Sequence, residues 1–140
     1  MFFSNPEFQA FAAGFPIAML HAAVTVGLFI LGAAIYALLT PYKDVQLIRD
    51  GNAAAALSLG GVLLALAIPL AASLAVAGSV VEVALWGGTT LAVALLAFRL
   101  VDIALKGLPE RIQDGEVPAA ALLVGAKLAV SIILAAAVAG

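Results

Sequence analysis

Four apolar stretches, each long enough to cross a bilayer, decide what this chain can be. They run from about Pro16 to Leu39, Asn52 to Ala77, Val81 to Leu105, and Val117 to the C-terminus. At about 1.5 Å per helical residue, each covers the roughly 30 Å of hydrocarbon in a membrane. The rest of the composition agrees. The chain is 66% hydrophobic and 10% charged, with a mean hydropathy of +1.25, whereas a soluble domain is about a quarter charged. The expectation is an all-α, four-span transmembrane bundle, a single integral membrane domain over residues 1–140. No strand is expected. Net charge is -2, and no basic patch with interleaved aromatics marks a nucleic-acid binder. Cysteine is absent, which excludes disulfides, thiolate metal sites and thiol catalysis.

The connections carry the remaining signals. Ser4-Asn5-Pro6-Glu7 reads as a helix start, with a capping residue, Pro at the first position and an acid in the first turn. Phe2, Phe3, Phe8, Phe11 and Phe15 follow, so a short interfacial helix is expected over about residues 5–15, broken or kinked at Pro16. This end lacks the basic n-region of a signal peptide and its apolar run is too long, so it is expected to be retained. Thr40-Pro41-Tyr42-Lys43 closes span one, with Tyr42 and Lys43 suited to the interface, as is Trp86 near the start of span three. Gly78-Ser79 makes a short turn between spans two and three. Lys43, Arg49, Lys106 and Arg111 all fall in the loops after spans one and three. By the positive-inside rule those loops face the cytoplasm and both termini face outward.

Those two loops resemble each other. Ile48-Arg49-Asp50-Gly51-Asn52 returns as Ile112-Gln113-Asp114-Gly115-Glu116 at a constant shift, which also superposes Gly61 on Gly125, Ala65 on Ala129, and Ile68 on Ile132. The chain reads as two tandem parallel hairpin repeats, about 16–77 and 81–140. In this reading the Asp accepts amide protons at a helix start, Asn52 offers a further cap for span two, and the Gly supplies the turn re-entering the membrane. Alternatively Asp50, Asp114, Arg49, Arg111, Glu110 and Glu116 form a cytoplasmic docking surface, and the two roles are compatible. Small residues at four-residue spacing, including Gly61, Ala65 and Pro69 in span two and Gly125 and Ala129 in span four, are expected to pack these spans together. An Ala-rich helix also generates such a stripe by chance.

Few charges fall within the spans. Lys127 stands about ten residues into span four, roughly 15 Å deep, where a charge costs about 2.5–3.5 kcal/mol and normally faces the bundle or water. It is expected to pair within the bundle or snorkel outward; the alternative is a binding or gating charge. Arg99 and Asp102 are three apart on one face and read as a mutually neutralising pair. His21 and Glu82, both toward the outer side, could meet as a proton-responsive pair, although Glu82 also reads as simply solvated. There is no metal-ligand spacing, no nucleophile–base pair, no phosphate loop and no mid-span carboxylate like that of a rotary-ATPase proteolipid. No enzyme and no cofactor is expected.

Thr40-Pro41-Tyr42 with Gln46-Leu47-Ile48, then Gly51-Asn52-Ala53-Ala54-Ala55, Ile68-Pro69-Leu70 and Trp86-Gly87-Gly88, resemble the YjfL family of small bacterial inner-membrane proteins. The resemblance covers nearly the whole chain from span one onward. It implies four spans in a bacterial inner membrane and no established activity. The functional expectation is a non-enzymatic module that self-associates or anchors cytoplasmic partners through its two charged Asp-Gly loops. The alternative is a small oligomeric channel or transporter that uses Lys127 as its intramembrane charge. The expected partners are the lipid bilayer and a second copy or other membrane or cytoplasmic proteins.

Overall fold

The computed structural model describes residues 1–40 and 43–140. Pro41 and Tyr42 fall outside them, and with them the interfacial placement expected of Tyr42. The chain is all-helical: α1 Pro6–Leu39, α2 Asp44–Arg49, α3 Ala53–Val76, α4 Val80–Ala104, α5 Leu108–Gln113 and α6 Val117–Ala139. Four of these, α1, α3, α4 and α6, are long and apolar enough to cross a membrane.

α1 corrects the expected interfacial segment. It runs unbroken for 34 residues through Pro16, started by Asn5, whose side chain accepts from the Glu7 amide at 2.7 Å. A proline inside a helix removes one backbone bond, and the helix continues where its neighbours and surroundings hold the geometry. No separate helix ends at Phe15.

The two loops are also more ordered than expected, because each holds a six-residue helix, α2 or α5. Both end in the same way. Asp50 and Asp114 are the C-caps of these short helices, and the glycines that follow have φ of 91° and 84°. The Gly51 and Gly115 amides donate to Ile48 and Ile112, while those of Asn52 and Glu116 donate to Leu47 and Arg111, at 2.9–3.0 Å. This is the paired bonding of a Schellman stop, which needs a left-handed residue that glycine supplies without a Cβ penalty. The two Asp residues therefore close a helix and do not open one. The opening residue is Asn52, whose side chain caps α3 by accepting from Ala55 at 3.0 Å. Glu116 holds the corresponding position before α6 without a side-chain cap.

In the bundle, α3 and α4 form the middle, each packed against the other three long helices, and the α3–α6 contact is the most extensive. A central core gathers Tyr36, Val62, Leu66, Leu91, Leu95 and Phe98. A second core plugs the loop end, where Ile112 is fully buried among Ala54, Ala55, Ala119, Ala120 and Leu123.

The small-residue stripe holds on only one of its two helices. On α3, Ala65, Pro69 and Ser73 are buried, and a Cβ on Gly61 would run into Val124. On α6, Gly125 and Ala129 are exposed, and the inward face is Ala119, Ala120, Leu123, Val124, Lys127 and Ser131. The reason is polar. Lys127 and Ser131 both need partners inside the protein, and turning them inward swings residues two positions away out toward lipid. Close approach between α1 and α4 uses glycines that no stripe predicted: Leu91 sits over Gly32, and Leu28 over Gly87.

Candidate functional site: a buried charge cluster at the loop end

Lys127 is 1% exposed, the most deeply buried charge among the described residues. In a helix the Cα–Cβ bond tilts toward the N-terminus, so this side chain runs back toward the end of the bundle that carries α2 and α5. There its Nζ lies 2.8 Å from Asp102 Oδ1 on α4 and donates to the Tyr36 hydroxyl on α1 at 2.9 Å. The same ammonium stands 4.9 Å from the centre of the Tyr36 ring. One α6 side chain is thus held by two other helices. One turn further along α6, Ser131 donates to the Ala65 carbonyl of α3 at 2.6 Å, so all three of the other long helices are tied to α6 by polar contacts in the interior.

Two further groups complete the cluster. The Ser58 hydroxyl, buried on α3, stands beside the Tyr36 phenol. Asp44, the first residue of α2, is 5% exposed and within electrostatic reach of Lys127, Asp102 and Tyr36. Burial pushes its carboxyl up to about 6, with Lys127 opposing the shift and Asp102 adding to it. Cavities on the loop side border the cluster. One of about 370 Å³ is lined by Thr40, Arg99, Asp102, Lys106 and Glu110, and another of about 340 Å³ by Asp44, Lys43 and Gln46. A third, about 10 Å³, touches Tyr36 and Asp102 and is close to the size of one water.

The expected pairings are rearranged. Asp102 pairs with Lys127 and not with Arg99, because a carboxylate that can neutralise a buried ammonium outweighs one beside a solvated guanidinium. Arg99 is exposed and lines the cavities beside Asp102. His21 and Glu82 do not form an ion pair among the described residues. Glu82 is exposed and accepts from the Gly78 amide at 2.6 Å, while Ser79 caps its amide at 3.2 Å; it is part of a helix cap. Tyr36, Asp44 and Ser58 were missed from sequence. The signal for them was Lys127 itself: a lysine at that depth needs partners, and these are among the few polar side chains on the other helices at that end.

The loop motifs meet each other at the surface. Asn52 Nδ2 donates to the Ile112 and Gln113 carbonyls at 2.9 and 3.2 Å, joining the start of α3 to the end of α5. Arg111 and Glu116 make an exposed ion pair at 2.7 Å, which raises the basicity of the guanidinium and lowers the carboxyl. Gln46 donates to Asp50 at 3.2 Å.

Comparison with known proteins agrees with this architecture. Residues 10–138 match the family described as Domain of Unknown Function (DUF350). The chain belongs to that family. It is 36% identical over 113 residues to the UPF0719 inner membrane protein YjfL of Escherichia coli strain K12, covering 81% of this chain and 86% of that protein. The YjfL protein of Escherichia coli O157:H7 matches over the same span with the same identity. No solved structure matches the chain. The DUF350 fold described above is therefore that of an inner-membrane family of unknown function, with four helices fit to span the bilayer.

Proposed function

We propose that this chain is a non-enzymatic module of the bacterial inner membrane that holds a cytoplasmic partner, or a second copy of itself, at its two Asp-Gly loops. The observation that carries the reading is the internal neutralisation of Lys127 by Asp102, with the Tyr36 hydroxyl as a further acceptor. With that charge satisfied inside, the polar chemistry left for partners is concentrated on one face, where Arg49, Asp50, Arg111, Asp114 and Glu116 are exposed or half-buried. Asn52 binds the two loops into one surface.

In this reading the loops face the cytoplasm and both termini face outward, as the placement of Lys43, Arg49, Lys106 and Arg111 supports. The matching Schellman stops of α2 and α5 support descent from a duplicated hairpin, with the second copy turned so that another face of its long helix is buried. Replacing Arg49, Asp50, Arg111 and Asp114 together is expected to release co-purifying partners or change the oligomeric state. An unaltered partner set and unaltered size would remove the reading.

A second reading, a small channel or transporter using Lys127, is favoured by the cavities that reach Asp102 and Asp44 from the loop side. It requires ion flux in proteoliposomes that Lys127→Leu abolishes.

A further inference from the structure

Among the described residues, Asp44 is the buried charge that packing leaves unexplained. Neither of its carboxylate oxygens has a hydrogen-bond partner among them, although the residue is 5% exposed. A bare carboxylate in such a place is unfavourable unless something neutralises it. Tyr36 from α1, Asp102 from α4 and Lys127 from α6 lie within electrostatic reach of it, with Ser58 of α3 beside Tyr36 and the exposed Arg99 of α4 near Lys127. On its own side of the bundle, Lys43 and Gln46 share its cavity of about 340 Å³, which is open to the outside. The buried ammonium, Lys127, is committed to Asp102 at 2.8 Å. Arg99 and Lys43 are exposed and make no ion pair with either carboxylate among the described residues, so the enclosed set of Asp44, Asp102 and Lys127 carries one negative charge in excess.

We infer that Asp44 binds one monovalent cation, a proton or an alkali-metal ion, taken up from water on the loop side of the bundle. The charge count selects the class. One added positive charge makes the cluster neutral, whereas a divalent ion would leave it positive beside Lys127. Nor do three or more acidic or imidazole side chains gather around a shared point among the described residues. A carboxylate oxygen is a hard donor that accepts either a proton or an alkali ion. The raised affinity of Asp44 for protons, near pH 6, puts the proton form within reach of ordinary conditions. Asp44 opens the short helix that leads into the Gly51-Asn52 stop, so occupancy sets how firmly α2 seats against the bundle. The site does not depend on the docking function proposed above, and failure of one leaves the other standing.

The test is the thermal unfolding midpoint of the full chain in lipid nanodiscs. One series varies pH from 4.5 to 8 in choline salts. The other, at pH 8, replaces choline with sodium or potassium at constant ionic strength. A proton site predicts a fall of about 5 °C on raising the pH through about 6. An alkali site predicts recovery of the midpoint at saturating sodium or potassium. In either case Asp44→Asn is expected to be flat in the series that moves the wild type and to stay at its loaded midpoint, while Asp50→Asn in the same loop follows the wild type. Asp44→Glu, which keeps the carboxylate, retains a cation dependence even if Asp44→Asn folds poorly. A wild type insensitive to both cations, or a dependence that survives in Asp44→Asn, overturns the assignment.

Discussion

At the scale of single residues, the energetics turn on charges taken out of water. Removing one partner of a buried pair strands the other, which costs about 3–5 kcal/mol, while replacing both with apolar groups is often close to neutral. Lys127→Met alone is therefore expected to destabilise strongly, because it leaves Asp102 without its ammonium and removes the donor to Tyr36. Tyr36→Phe should cost less, about 1–2 kcal/mol, since it deletes one acceptor and keeps the packed ring. Asp44 runs the other way. Its carboxyl is raised from 3.8 to about 6, so the folded state holds the proton more tightly than the unfolded chain does. The stabilisation from this group is present below about pH 4 and lost as pH rises through about 6. At pH 7, Asp44→Asn should then raise stability by on the order of 1–2 kcal/mol, after allowing for solvent at the cavity mouth. Denaturation of both proteins at pH 5 and pH 7 checks the sign, because the gain should shrink at the lower pH.

At the scale of elements, the loop motif was legible as a pattern and misread as a mechanism. The sequence pairs Asp50-Gly51 with Asp114-Gly115, but spacing alone does not say whether a polar residue beside glycine ends one helix or begins the next. The short helices α2 and α5 resolve it: each Asp is a C-cap, and Asn52 performs the capping of α3. Asn52→Ala should cost about 1–2 kcal/mol, losing both the cap and the bridge to α5, whereas Asp50→Ala should cost a few tenths. The small-residue stripe was half legible for a related reason. Periodicity marks a face without saying which face turns inward, and on α6 the needs of Lys127 and Ser131 override it. Gly61→Ala is expected to cost about 1–3 kcal/mol through overpacking against Val124, and Gly125→Ala, with open space around it, to fall within about 0.5 kcal/mol. Unfolding titrations of the pair separate these outcomes.

For the whole molecule, the bundle itself was written in the apolar runs, whose lengths and borders match α3, α4 and α6 closely. Membrane location needs only that information. What the runs could not carry is which helix lies beside which, and so the meeting of Tyr36, Asp44, Asp102 and Lys127 from four separate elements was invisible. The continuity of α1 through Pro16 was hidden as well, because a proline reads as a break unless the surrounding helix is known to hold. Sidedness is testable without background, since the chain has no cysteine of its own. Cysteines placed at Ser4 or Ala139 should react with an impermeant reagent added outside intact cells, and cysteines at Gln46 or Gln113 should not. The reverse pattern would invert the topology and put the proposed docking face outside. The central claim is that Lys127, the deepest charge among the described residues, is neutralised within the bundle, and a double-mutant cycle on Lys127→Met and Asp102→Leu, followed by unfolding in nanodiscs, tests it most directly. The account predicts that each single change costs about 3 kcal/mol or more and that the double costs no more than the worse single. Additive losses would contradict it, since they would mean that the two charges do not stabilise each other in the membrane.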